Sequence, residues 1–139
     1  MVRPRALGAS LGLSVSNTHD LIHQVELGFS FKALQAFASK SGISLSVITS
    51  IVGIPERTLA RRKAVAKLTT DESERLLRLS TVFEKAVELF EGDAIAAVKW
   101  LTTPRKALDE LSPLAYCRTE LGAREVENLI GRLEHGVFS

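Results

Sequence analysis

The stretch "GIPERTLARRK", Gly53 to Lys63, decides how this chain is read. Pro55 stands where a helix would begin, because its fixed φ and missing N–H cost nothing in a first helical turn. Arg57, Arg61, Arg62 and Lys63 then fall within seven residues. Upstream, "ISLSVITSIV" sets Ile43, Val47, Ile48, Ile51 and Val52 at helical spacing. Its β-branched content would also suit a strand, but no second strand-like run exists to pair with it. A glycine between two short helices is the tight turn of a helix-turn-helix, where positive φ lets the second helix cross the first. Ile48, Val52, Ile54 and Leu59 have the spacing of the residues that lock such helices together. Arg57 and Arg61 project opposite Leu59, flanked by Thr58 and Arg62. A helix entering the major groove needs its core on one side and its donors on the other. Arginine's two-pronged donor can read guanine, while Lys63 and Lys67 can serve phosphates. The competing reading is a solvated basic face, and Thr49 departs from the alanine this motif usually prefers at the helix crossing.

Charge divides along the chain in the same sense. Residues 1 to 70 hold nine Lys/Arg against three Asp/Glu, a balance of +6. Residues 71 to 139 hold nine against thirteen, a balance of −4. A basic first half calls for an anionic partner, and an acidic second half for something else. At 139 residues and 45% apolar, the chain suits one compact unit or two small lobes. A lone cysteine, Cys117, excludes an internal disulfide and gives no reason to expect export. Arg3 and Arg5 precede "ALGASLGLSV" as in a signal peptide, but two glycines, two serines and the lack of an A-x-A site argue against one. No run approaches the roughly 18 apolar residues of a membrane span. The cytoplasm is the expected setting.

The remaining pattern is helical throughout. Residues 1–17 read as a flexible lead. A helix runs from about Thr18 to Leu27 and ends at Gly28. "SFKALQAFASK" follows with Ser30 as N-cap and Leu34, Phe37 and Ala38 on one face. Thr69-x-x-Glu72 is a capping box opening a long helix, with Leu76, Leu79, Phe83, Ala86, Val87 and Phe90 as one stripe. Glu91-Gly92-Asp93 separates it from a helix leading to Trp100-Leu101. Thr103-Pro104 and Ser112-Pro113 each pair an N-cap residue with a proline that starts a turn. The final helix, "GAREVENLIGRLEHG", packs Val126, Leu129, Ile130 and Leu133 and leaves Arg124, Glu127, Asn128, Arg132 and Glu134 on more exposed arcs. Gly136 closes it.

No constellation for catalysis emerges. His19 and His23 are four apart, a spacing that can hold zinc, but no third and fourth ligand matches them. Cys117 reads as an inert buried thiol and Trp100 as core, although an indole can also anchor a partner. There is no Gly-rich phosphate loop and no Ser/His/Asp arrangement. No enzyme, metal site or cofactor is therefore expected.

Beyond the helix-turn-helix, the chain resembles the Xre-type antitoxins of RES–Xre toxin–antitoxin pairs, in the Xre/MbcA/ParS group. The segments that carry the resemblance are "GIPERTLARRK", "LTTDESERLLRL", "ELFEGD", "WLTTPRKAL" and "SPLAYCRTELGAREVENLIGRLEHGVF", in the family's order from about Leu27 onward. "TELGAREVENLIGRLEHG" is the most specific of them, because amphipathicity alone does not demand it. Pro55 stands where the family often has serine, and Asp109-Glu110 where it often has glycine. The resemblance implies an all-α fold: an Xre-like helix-turn-helix domain over 18–68, then a small helical toxin-binding domain over 69–139. It further implies a bacterial antitoxin that blocks a RES-domain, NAD-consuming toxin by covering its active site. Repression of the shared operon through promoter DNA is implied as well. The alternative is a stand-alone helix-turn-helix regulator whose second domain dimerises. Either way a homodimer is expected, since two-fold symmetry doubles a small basic face. DNA contacts are expected from Arg57, Thr58, Arg61, Arg62, Lys63 and Lys67. Toxin contacts are expected from Arg132, His135 and the apolar tail Val137, Phe138 and Ser139.

Overall fold

Side-chain oxygens take up the loose N–H groups of almost every first turn, and they fix where the helices begin. The computed structural model describes residues 8–136. Asn17 caps α1 (Thr18–Leu27), its Oδ1 accepting from the Asp20 N–H at 2.9 Å. Ser30 and Ser44 cap α2 (Phe31–Ser41) and α3 (Leu45–Val52) through their hydroxyls. After α4 (Glu56–Val65), the capping box opens α5 (Thr70–Leu89): the Glu72 N–H donates to Thr69 Oγ1 at 3.2 Å and the Thr69 N–H to Glu72 Oε1 at 2.9 Å. Asp93, Ser112 and Thr119 cap α6 (Ala94–Leu101), α7 (Pro113–Tyr116) and α8 (Glu120–Glu134). The described residues thus hold eight helices and no strand, the all-α architecture expected.

The segments Thr103-Pro104 and Ser112-Pro113 part company. Ser112 caps a helix with Pro113 in its first turn, as its spacing suggests. Thr103 does not cap one. Its hydroxyl donates backwards to the Lys99 carbonyl at 2.6 Å, so it closes α6, and only a 3-10 turn over Lys106–Leu108 follows. The turn is pinned by an antiparallel pairing of Arg105 with Leu111, and Asp109 and Glu110 both adopt positive φ there.

Two compact units divide between Ser80 and Thr81, inside α5, rather than after residue 68. The physical reason is the polar stitching of α5's first half. Thr70 Oγ1 donates to the Glu26 carbonyl at 2.9 Å, Ser73 Oγ accepts from the Phe29 N–H at 2.8 Å, and Arg75 Nε donates to the Val52 carbonyl at 2.6 Å. The first unit buries Phe29, Leu34, Phe37, Ile48, Val52 and Ile54, each contributing about 1.5–3 kcal/mol on leaving water. Residues 8–11 are more ordered than the flexible lead expected of residues 1–17. A 3-10 turn over Ala9–Leu11 packs against α2, buries Leu11, and accepts at the Ala9 carbonyl from Lys40 Nζ at 2.7 Å. The second unit buries Val82, Ala86, Leu101, Val126 and Ile130. Val87 and Phe90 of the expected stripe are half-buried, whereas Val82, outside that stripe, is completely enclosed.

Candidate functional sites

The turn between α3 and α4 is built as a helix-turn-helix requires. Gly53 sits at φ 80 and ψ 39, and its N–H and that of Ile54 both donate to the Thr49 carbonyl, at 2.8 and 2.9 Å. A Cβ here would meet nothing closer than Arg75 Nε at 3.9 Å, so the backbone angle, not lack of space, asks for glycine. Thr49 is accommodated at the crossing: it is buried, and its hydroxyl donates to the Ser46 carbonyl at 3.2 Å. Pro55 lies one step ahead of the expected first helical position, as an extended N-cap residue, and α4 starts at Glu56. Glu56 sets a negative charge at the positive end of the helix dipole. At its far end, Ala66 turns left-handed (φ 61), and the chain pairs back on α2's entry through Phe31 N–H to Ala66 O (3.0 Å) and Leu68 N–H to Phe29 O (2.9 Å).

Helix α4 is displayed rather than enclosed. None of its residues is buried, and Leu59, expected in the core beside Ile48, Val52 and Ile54, is only half-buried. Ile48 and Val52 of α3 are enclosed in that interior, whereas Leu59 lies at its rim. Arg57, Arg61 and Lys63 are exposed on α4, with Lys67 exposed just beyond it. Thr58 is half-buried and receives a long contact of 3.5 Å from Arg61 Nη2. Arg62 departs from the free donor that spacing alone suggests. Its Nε donates to Glu72 Oε1 at 2.8 Å, and Glu72 is only 5% exposed. Burial pushes the Glu72 carboxyl up, but the Arg62 guanidinium and the Thr69 N–H and hydroxyl outweigh it and leave Glu72 below the usual carboxylate range. The same bond holds Arg62 charged beyond its ordinary range. Glu72 was visible in the sequence as half of a capping box. Its second partner, on another helix, leaves no trace in local spacing.

In the second unit, α8 buries Val126, Leu129 and Ile130, while Leu133 is half-buried as the helix end emerges. Arg124 is exposed and pairs with Glu120 at 3.3 Å. Glu127 is drawn off the exposed arc by Lys85 of α5 at 3.2 Å. Arg132 is half-buried, and its Nε has no hydrogen-bond partner among the described residues. His135 is exposed at the C-cap, and the Gly136 N–H donates to the Leu133 carbonyl at 3.1 Å, the closure expected of that glycine. Val137, Phe138 and Ser139 lie outside the described residues. Among the described residues of this unit, Ile95, Leu121 and Leu111 are large apolar side chains open to water, at 85%, 73% and 47% exposure. Trp100 is buried, with the Arg105 guanidinium 5.2 Å from its ring centre. Cys117 is buried, and His19 and His23 are exposed on α1 of the first unit. No described helix is long and apolar enough to cross a membrane.

Comparison with known proteins divides the chain in the same two parts. Residues 20–80 match the family described as Antitoxin Xre-like helix-turn-helix domain. Residues 85–136 match the Antitoxin Xre/MbcA/ParS C-terminal toxin-binding domain. The chain is 41% identical over 138 residues to a Yersinia enterocolitica protein named Antitoxin Xre, spanning 99% of this chain and 93% of that one. Proteins of the same name from Photorhabdus laumondii and Pseudomonas putida are 43% identical over 93 residues and 34% over 84. These alignments span 66% and 60% of this chain, and 63% and 52% of theirs.

Proposed function

Because the chain belongs to the Xre antitoxin family, we propose that it keeps a RES-domain, NAD-consuming toxin inactive and represses the operon encoding both. The observation that carries this reading is the succession, in one chain, of a helix-turn-helix matched over 20–80 and a unit matched over 85–136. The charge asymmetry supports it, since the basic half carries the displayed α4 and the acidic half the second unit. In the first unit, Arg57, Thr58 and Arg61 are the proposed readers of base edges, with Lys63 and Lys67 on phosphates. The chain is proposed to act as a homodimer in the bacterial cytoplasm, and it carries out no reaction of its own.

Inhibition is proposed to be steric. Arg132 and His135, at the end of α8, together with the tail residues Val137, Phe138 and Ser139, are proposed to cover the mouth of the toxin's active site. An Arg132 Nε with no hydrogen-bond partner among the described residues, and two large apolar residues in the tail sequence, suit a protein partner better than water. Occluding the entrance is sufficient, because a toxin that cannot admit NAD is silent. The test is deletion of Val137 to Ser139, followed by co-expression with the toxin from the neighbouring gene. Thermal melting of the isolated variant separates lost contact from lost folding. The folded truncation is expected to fail to rescue growth; rescue equal to the full chain would remove the tail from the inhibitory surface.

A further inference from the structure

Helix α4, whose side chains are at most half-buried, is held only in part by core packing, and other bonds help to fix its angle. Among the described residues, the side-chain ion pair that ties α4 to α5 is Arg62–Glu72, at 2.8 Å. Glu72 is enclosed, whereas Arg62 is more open, with 7% and 23% of their side-chain surfaces exposed. The carboxylate is further held by the Thr69 N–H at 2.9 Å, so its position is set by α5 and not by α4. Arg62 sits next to Arg61 and Lys63, which are both exposed. Without Glu72 it would be one more cation on the same short helix.

We propose that Glu72 is a positioning residue for DNA recognition: it clamps α4 through Arg62 and withholds that guanidinium from the phosphate backbone. The proposal rests on the reading of α4 as the DNA-contacting helix. Phosphate contacts raise affinity for every sequence alike, whereas base contacts discriminate. Neutralising Arg62 from within therefore favours specificity over bulk attraction. A fixed helix angle serves the same end, because Arg57 and Arg61 must meet base edges in register. Arg62 thus moves from the set of DNA contacts suggested by spacing to the set of internal supports.

The test compares the full chain with Arg62→Gln, Glu72→Gln and the double variant, on a duplex of its own promoter and on a scrambled duplex, across a salt series. Gln at 72 can still accept from the Thr69 N–H, so the cap is retained while the charge is lost. Arg62→Gln is expected to leave the salt slope at the native value. Glu72→Gln is expected to steepen it by about 0.9, one additional phosphate contact, and to lower the promoter-to-scrambled affinity ratio. The double variant is expected to return the slope to native. A slope lowered by Arg62→Gln, or unchanged by Glu72→Gln, would overturn the proposal, as would a double variant that stays steep. Melting curves establish that each variant is folded; where Glu72→Gln is not, the Arg62→Gln slope decides alone. A native chain that binds neither duplex overturns the DNA reading and the proposal with it, an outcome distinct from binding with the wrong slopes.

Discussion

Arg57 and Arg61 are exposed and lie one helical turn apart on α4, and Arg61 makes a long contact with Thr58. Replacing either with alanine is expected to weaken promoter binding by about 1–3 kcal/mol and to relax discrimination against scrambled DNA. Lys63→Ala and Lys67→Ala should instead weaken binding to both sequences alike and flatten the salt slope by about 0.9 each. Anisotropy titrations at several salt concentrations separate the two outcomes. Glu72 carries a second expectation. Its carboxyl lies below the usual range in the folded chain, so the unfolded chain binds the proton more readily. The stability it contributes is present above the ordinary carboxylate pKa and is lost as the pH falls through the lower folded value. Unfolding midpoints of Glu72→Gln and the native chain, measured in urea from neutral to acid pH, should therefore converge on the acid side. A constant gap would show that the charge of Glu72 is irrelevant. At this scale the sequence conveyed which residues are cationic and which cap a helix. It did not convey that Arg62 Nε is bonded to Glu72, because that bond is made across two helices.

Helix starts are set by local chemistry, which made those at Ser30, Thr69 and Ser112 legible, while α3 and α8 begin at Leu45 and Glu120 rather than at Ile43 and Gly122. Asn17, Ser30, Ser44, Asp93, Ser112 and Thr119 all cap through their own side chains, so each start is determined within three residues of itself. Thr103 misled because a threonine near a helix end can bond backwards to the preceding turn as well as forwards. Two substitutions test the elements themselves. Ala66 ends α4 at φ 61, a conformation glycine adopts without strain. Ala66→Gly relieves about 1–2 kcal/mol of left-handed strain against about 0.4–1 kcal/mol of added unfolded-state freedom. A melting temperature that rises is expected, and one that falls would show that the strain is not there. Gly122→Ala should do the reverse. Alanine is the better helix former by about 1 kcal/mol, yet a Cβ at Gly122 in α8 would overlap the Tyr116 carbonyl oxygen at the end of α7. Net destabilisation of about 1–3 kcal/mol is expected, as for overpacking in a filled interior; a rise in melting temperature would contradict the close seating of α8 on α7. That contact also explains part of why "TELGAREV" is more specific than amphipathicity requires.

For the whole molecule, the all-α architecture and the order of its two parts could be read from periodicity, charge and resemblance together. Their dividing point could not, since α5 runs through it without a break and the bonds that tie its first half to the helix-turn-helix, at Glu26, Phe29, Val52 and Arg62, are all made across elements. Which surface inhibits is equally invisible in one chain's sequence, because complementarity belongs to two. A homodimer is expected to bind its promoter at two half-sites about 34–36 Å apart. Light scattering that finds only a monomer at micromolar concentration, with and without promoter DNA, would contradict it. The silencing of an NAD-consuming partner is proposed to act by direct contact. It is tested most directly by following NAD consumption by the purified RES-domain toxin of the same operon while the chain is titrated in. Turnover is expected to fall in proportion to added chain and to be abolished once the toxin is saturated. Unchanged turnover in the presence of excess folded chain would contradict it.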